Sequence, residues 1–229
     1  LYLYFDFLGY TNMALGLGKM CGISLEENFD NPYLANSISS FWRKWHISLS
    51  NFFKEYVYFP LGGSKKNKLI TIRNLMIVWL LTGIWHGNTI NFLLWGLYYG
   101  IIIVLEKFVL NNFLEKFPKI FKHLYVIIIV LFGYILFTQN SLNDISLFIS
   151  NMFKGNLYNN EVIFYLRDNL FLIILSLLMI LKLPESIKNK ISNNKFINIV
   201  IIIIYVCLFI ITVSFILSGS FKPFLYNSF

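Results

Sequence analysis

Charged residues make up 13% of this 229-residue chain and hydrophobic ones 57%, with a mean hydropathy of +0.66. A soluble domain carries roughly 25% charged residues, so the composition excludes a soluble globular protein and indicates an integral membrane protein. The net charge of +8 requires no nucleic acid, because Lys and Arg gathered in cytoplasmic loops give the same surplus.

Taken in chain order, the first residues already read as membrane-embedded. Leu1 to Gly18 forms an apolar segment interrupted by Asp6 and Gly9. It carries neither an initiating Met nor a signal-peptide pattern. The expectation is the C-terminal part of a longer protein whose N-terminal helices are missing here. Asp6, set among aromatics at membrane depth, is expected to be paired or to face a cavity. Cys21 and Cys207 lie in apolar surroundings with no Cys-x-x-Cys pair, so neither a disulfide framework nor a metal site is suggested.

Between Ser37 and Pro60 the pattern changes. At 100° per residue, Phe41, Trp42, Trp45, Leu49, Phe52, Phe53 and Tyr56 share one arc, with His46 among them. Arg43, Lys44, Asn51, Lys54 and Glu55 fall opposite. This spacing predicts an amphipathic, aromatic helix that lies in the interface or dips into the protein. Pro60 ends it, and Gly62-Gly63 opens a basic loop.

Leu69 to Glu106 is too long for one crossing, since a bilayer core of about 30 Å needs roughly 20 apolar residues. Gly87-Asn88-Thr89 is a turn signal in its middle. Two crossings or two half-crossings are predicted, with His86 at their junction. Further spans are predicted near Leu124 to Thr138, over Asn169 to Leu181 with Lys182 snorkelling to the interface, and over Ile197 to Leu217. The fold class is therefore all-α, a multi-spanning transmembrane bundle with an interfacial or re-entrant amphipathic helix. Basic loops (Trp42 to Asn74, Lys107 to Lys122, Pro184 to Lys195) alternate with the acidic loop Gln139 to Asp168. The positive-inside rule puts the basic loops in the cytoplasm and the tail at Phe229 outside.

Soluble-enzyme signatures are missing. Gly16-Leu-Gly18 lacks the third glycine of a dinucleotide fingerprint, and neither a Gly-x-Ser-x-Gly elbow nor a His-Glu-x-x-His appears. His86 stands out instead. From Asn74 onward, Glu106 is the first acidic or strongly basic residue. An ionisable ring at membrane depth is by default a functional-site hypothesis, and histidine moves protons near neutral pH. Two readings stay open on these residues alone: a general base, or a buried ring bonded to a neighbouring carbonyl. For His46 the two readings are a direct chemical or donor-binding role, or a ring on an aromatic helix that bonds across to another helix. Trp42 and Trp45 read as interface or tunnel-wall packing. Arg43, Lys44 and the Lys65-Lys66-Asn67-Lys68 cluster read first as positive-inside charges and second as attractors of phosphate.

Several ordered motifs carry a resemblance. They are Tyr4-Phe-Asp-Phe-Leu-Gly-Tyr-Thr-Asn-Met-Ala-Leu-Gly-Leu-Gly18, Glu27-Asn-Phe-Asp-Asn-Pro-Tyr33, Phe41-Trp-Arg-Lys-Trp-His-Ile-Ser-Leu49 with Tyr58-Phe-Pro-Leu-Gly-Gly63, Gly83-Ile-Trp-His-Gly87, Asn91-Phe-Leu-Leu-Trp-Gly-Leu97 and Lys222-Pro-Phe-Leu-Tyr226. Together they resemble bacterial membrane-bound O-acyltransferases of the alginate O-acetyltransferase type, densely over residues 2–100 and thinly from 123 to 217.

The resemblance implies one membrane-embedded acyltransferase domain over 1–229, in the bacterial cytoplasmic membrane. It implies His86 as the catalytic histidine and His46 as the second histidine of the motif set. It implies a tunnel in which donor and acceptor meet, with Asp6, Trp42, Arg43, Trp45, Trp85, Asn88 and Asn91 as candidate lining residues and Asn88 and Asn91 as candidate oxyanion donors. The implied chemistry moves an acyl group, acetyl in the first instance, from a cytoplasmic thioester toward an extracytoplasmic envelope polysaccharide. Acetyl-CoA is the implied donor substrate, with no resident cofactor, and an extracytoplasmic acetyltransferase is an implied partner beside the lipid bilayer. The alternatives are D-alanyl transfer to teichoic acid, and a transporter or channel with a structural histidine.

Overall fold

Helix is the regular structure throughout the described residues, apart from one isolated β-bridge between Phe29 and Trp45. A bilayer leaves few alternatives, because backbone groups in hydrocarbon must be bonded within their own segment. The computed structural model describes residues 1–139, 141–154, 159–180 and 193–218. Lys182, most of the basic stretch Pro184 to Lys195, the motif Lys222 to Tyr226 and the expected outward tail at Phe229 lie outside the described residues.

The elements are α1 (Tyr2–Met20), a 3₁₀ turn (Pro32–Leu34), α2 (Ile38–Trp42), α3 (Ile47–Phe53) running into a π turn (Lys54–Tyr58), α4 (Lys68–His86), and α5 (Ile90–Leu105) running through a π turn (Glu106–Leu110) into α6 (Asn111–Leu114). After them come α7 (Lys119–Thr138), α8 (Leu142–Lys154), α9 (Asn160–Asp168), α10 (Leu170–Ile180) and α11 (Lys195–Leu217). Among the described residues, four segments are long and apolar enough to cross a membrane: Lys68–His86, Ile90–Leu114, Lys119–Thr138 and Lys195–Leu217. Asn160–Asp168 with Leu170–Ile180 makes a fifth if the pair, bent by 58°, is one broken span. The first segment, expected to be membrane-embedded, forms the 19-residue helix α1, but α1 is not among the helices apolar enough to cross on composition alone.

The segment from Leu69 to Glu106 resolves into two full crossings rather than half-crossings. Asn67 caps α4 by accepting from the Ile70 amide at 2.9 Å, and Gly87 to Thr89 turns the chain back. The antiparallel pair α4–α5 is the closest-packed in the bundle because glycine meets glycine at the crossing. A Cβ on Gly83 would overlap the Phe92 carbonyl, and one on Gly96 would overlap the Trp79 carbonyl. On the other side α5 packs on α7, where the fully buried Tyr99 ring lies over Gly133.

The continuous helix expected over Ser37 to Pro60 is broken, and this corrects the reading from periodicity. The chain turns at Arg43 to His46, and His46 takes a left-handed conformation (φ 50°, ψ 55°). The cause is a short ladder from outside the window. Asp30 N–H donates to Lys44 O at 3.0 Å, Phe29 bridges Trp45, and Ile47 N–H donates to Asn28 O at 3.1 Å. Residues 28–30 thus take up backbone groups that a helix would have used internally. Pro60 also does not act as a sharp stop, since the chain has already loosened into a π turn at Lys54–Tyr58.

The core formed around this break is aromatic. Tyr4 and Phe7 of α1, Phe29, Phe41, Trp45, Trp79, Trp95, Tyr99 and Phe137 form one buried cluster. Its rings meet mostly edge to face, as their quadrupoles favour. Phe41 and Trp45, brought together by the turn, instead stack at 5.6 Å and 17°.

Candidate active site

Two helix ends meet at one indole. His86 is the last residue of α4 and His46 precedes the first residue of α3. Both rings pack edge-on against Trp85, with centroids 5.0 Å and 5.8 Å from it. His86 is further enclosed by Trp95 at 4.9 Å, Phe137 at 5.2 Å and Phe92 at 6.3 Å. Phe7 of α1 covers the other side of His46 at 4.8 Å. His46 lies outside the spans, and burial pulls its imidazole down to about 4. It is therefore neutral near pH 7 and able to accept a proton or a hydrogen bond.

Both histidines line one cavity of about 820 Å³, within the usual range for small-molecule sites. Its walls come from α2–α3 (Trp42, Trp45, His46), α4 (Leu75, Trp79, Thr82, His86), α5 and its π turn (Trp95, Glu106, Lys107) and α7 (Lys122, Tyr134, Phe137). Leu75 and His86 both touch it, so the cavity runs about 17 Å along α4 at 1.5 Å per residue. One end is the aromatic cage of His86. The other holds Lys107 and Lys122 together with Glu106 and Glu115, near the opposite end of the spans.

The short helix α2 forms one wall because both halves of its N-terminus are capped. Ser37 Oγ accepts from the Ser40 amide at 3.0 Å. The carboxylate of Glu106, delivered from 67 residues away, accepts from Ile38 N–H at 2.6 Å, Ser39 N–H at 2.8 Å and Ser39 Oγ–H at 2.8 Å. Glu106 is 5% exposed. A carboxylate there answers the orphan amides and the positive end of the helix at once. His123 secures the same segment by donating from Nδ1 to the Ala35 carbonyl at 2.9 Å. The hydroxyls of Tyr33 and Tyr134 pair at 3.0 Å below it.

The predicted site residues separate into two groups. His86, His46, Trp42, Trp45 and Arg43 all line the cavity. Trp85 stands between the two histidines but is 52% exposed and does not line it. Asn88 is exposed on the turn. Asn91 is buried, and its side-chain oxygen accepts from Thr89 Oγ at the start of α5. Asp6 is half-buried on α1. None of Asn88, Asn91 and Asp6 lines this cavity. Lys44 pairs with Asp30 at 3.6 Å on the surface. Lys65, Lys66 and Lys68 are exposed, away from the cavity. Among the described residues no group of three His, Cys, Asp or Glu is placed to hold a metal ion.

Three contributors escaped the sequence reading. Glu106 had a usable signal, being the lone carboxylate in a long uncharged run. The indole N–H of Trp42, buried in the cavity wall without an acceptor, had none, because its orientation depends on the turn at Arg43 to His46. Asn28 had only its place in the motif Glu27 to Tyr33, which does not show what its side chain meets. Its side-chain oxygen gathers contacts from His46 and Ser48 across 18 and 20 residues.

An all-α, multi-span membrane protein with two histidines on one aromatic-walled cavity is the class that this fold and site define. Over residues 1–149 the chain matches the model of MBOAT, the membrane-bound O-acyltransferase family, and it belongs to that family. It is 42% identical over 142 residues to the probable alginate O-acetylase AlgI of Pseudomonas fluorescens, covering 62% of this chain and 28% of that protein. It is 50% identical over 105 residues to the peptidoglycan O-acetyltransferase of Helicobacter pylori, covering 46% of this chain and 20% of that protein. It is 35% identical over 131 residues to the teichoic acid D-alanyltransferase of Bacillus subtilis, covering 54% of this chain and 32% of that protein. The chain thus spans less than a third of the length of these curated relatives.

Proposed function

We propose that the protein is an O-acyltransferase of the bacterial cytoplasmic membrane, moving an acetyl group from a cytoplasmic thioester toward hydroxyls of an envelope polysaccharide. The observation that carries this reading is the single cavity that joins His86 and His46 to the lysine-bearing end of the spans. In this reading the basic loops face the cytoplasm. A negatively charged donor such as acetyl-CoA enters past Lys107 and Lys122 and presents its thioester near the aromatic cage.

The chemistry follows from what an imidazole can do there. A hydroxyl is a poor nucleophile until a base within about 3 Å takes its proton. His86 accepts that proton as the acceptor oxygen attacks the thioester carbonyl. The tetrahedral oxyanion needs a donor already in place, and Trp42 and Arg43, both of which line the cavity, carry N–H donors. Collapse expels the thiolate, which takes the proton back from His86. The aromatic walls exclude water, which would otherwise hydrolyse the thioester. His46 assists as a second neutral base or as an acceptor holding the donor. An extracytoplasmic acetyltransferase is the proposed partner that completes delivery to the polymer.

Acetyl is preferred over D-alanyl because the two acetylating relatives are the more similar, at 42% and 50% identity against 35%. Analysis of the native envelope polysaccharide with and without the full-length gene tests the whole proposal. Loss of a base-labile acetyl ester is expected on deletion. Loss of D-alanine instead would move the donor to the alternative, and an unchanged polymer would overturn acyl transfer.

A further inference from the structure

We infer that Asn28 is a positioning residue that fixes the proton of His46 on Nδ1 and leaves Nε2 as the basic nitrogen available to the cavity. The inference rests on the reading above that His46 serves the transfer. The argument begins with an atom whose role cannot be exchanged. The backbone amide of Ser48 lies 3.2 Å from the side-chain atom of Asn28 that also meets Ser48 Oγ at 2.6 Å and His46 Nδ1 at 3.2 Å. A backbone N–H can only donate, so that atom must be the amide oxygen and not the amide nitrogen. An oxygen of this kind has no proton to give. Its contact with Nδ1 is a hydrogen bond only when Nδ1 carries the hydrogen, and a neutral imidazole then has its lone pair on Nε2.

The rest of the loop holds Asn28 where it must be. Its own carbonyl accepts from Ile47 N–H at 3.1 Å, while Phe29 bridges Trp45 and Asp30 N–H reaches Lys44 O at 3.0 Å. The left-handed backbone of His46 is what brings Nδ1 back toward this oxygen. Ring packing by Phe7 and Trp85 removes the freedom to flip. With Nδ1 occupied by Asn28, Nε2 is the nitrogen that His46, a residue lining the cavity, has left for chemistry. A base oriented by a third group is the general logic of activated nucleophile sites.

The primary test needs no variant of Asn28. Full-length protein labelled with ¹⁵N-histidine, with the His46 signals identified by subtraction of a His46→Gln sample, should show a protonated Nδ1 and a bare Nε2 at neutral pH. A bare Nδ1 with a protonated Nε2 would overturn the inference. The functional arm uses paired substitutions. Asn28→Asp keeps the acceptor and should retain most transfer. Asn28→Leu removes it and should lose as much as His46→Ala. In a His46→Ala background, Asn28→Leu should cost nothing further, because the two residues act as one unit. An equal additional loss there would mean that Asn28 only supports the loop, and would sink the positioning role. If the tautomer is as stated but His46→Gln keeps full activity, the assignment to Asn28 stands and the chemical role of His46 falls.

Discussion

Residues up to Thr138 and residues from Leu142 onward are two kinds of membrane sequence. The first region buries a continuous aromatic core and builds the cavity. The second, in its described part, buries Ile145 alone among its large hydrophobic residues. Helix α11 is the most apolar of the four long spans among the described residues, with a mean hydropathy of 3.2, and none of its span window is buried. Hydropathy therefore places a helix in the bilayer without specifying what it packs against. Packing between spans comes instead from glycine, from aromatic edges and from polar groups that must find partners. Gly83, Gly96 and Gly133, the paired tyrosines and Glu106 all lie in the first region. The family match, over residues 1–149, covers all of this region and the first part of the second.

The largest expected effect breaks the first region at its chemistry. His86→Ala in the full-length protein should lower acyl transfer by about 10²–10⁴, the usual cost of losing a general base. Insertion should be unaffected, because α4 remains apolar. Transfer measured on membranes with matched protein levels checks this, and near wild-type transfer would remove His86 from the mechanism.

Next comes Glu106, where the two regions can be compared directly. Glu106→Gln replaces one acceptor oxygen with an NH₂ group that faces donors, leaving a buried amide of α2 unsatisfied. A loss of about 1–3 kcal/mol is expected, read as a lower unfolding midpoint in detergent, together with reduced transfer as the Trp42 wall loosens. Ile203→Ala in α11 is the matched control, since that side chain is exposed. It should change stability by no more than about 0.5 kcal/mol. A control as damaging as the Glu106 change would mean that α11 packs in the whole protein as tightly as the first region does.

His46 sharpens the contrast within the site. His46→Ala should reduce transfer near the lower end of the ~10²–10⁴ range, less than His86→Ala. Gln restores a polar side chain of similar size but supplies no titratable nitrogen, so His46→Gln should fail to recover the activity. Full recovery with Gln would show that His46 only fills and bonds its place.

Much of the first region was legible in the sequence because it follows from local rules. The spans follow from hydropathy, and the α4–α5 turn, with His86 at the junction of the two spans, from Gly87-Asn88-Thr89. What was not legible depends on residues distant in the chain. Periodicity put Trp42, Trp45 and His46 on one arc of a straight helix. The ladder from Asn28 to Asp30 breaks that helix and sends the three side chains into the cavity by another route. Asn88 and Asn91 looked suited to hold an oxyanion because they follow His86 in sequence. The turn instead exposes Asn88, and Asn91 bonds Thr89. Proximity in sequence is a poor guide where a chain reverses direction.

The smallest expected effect concerns charges that belong to the first region but not to its site. Lys65, Lys66 and Lys68 are exposed and do not line the cavity, and Lys68 lies over the Phe108 ring at 5.1 Å. The positive-inside rule accounts for their position without a ligand. Exposed charges act over about 8 Å at physiological salt, so their pull on a donor's phosphates is screened unless they touch it. Replacing all three with Gln should leave the maximal rate unchanged and raise the apparent KM for the donor slightly, with the rise vanishing as salt is added. Lys107 and Lys122 line the cavity, so replacing them with Gln should raise KM more, and the rise should persist at high salt. If the exposed cluster instead gives the larger, salt-resistant rise, the donor approaches by the loop and not by the lysine-bearing end of the cavity.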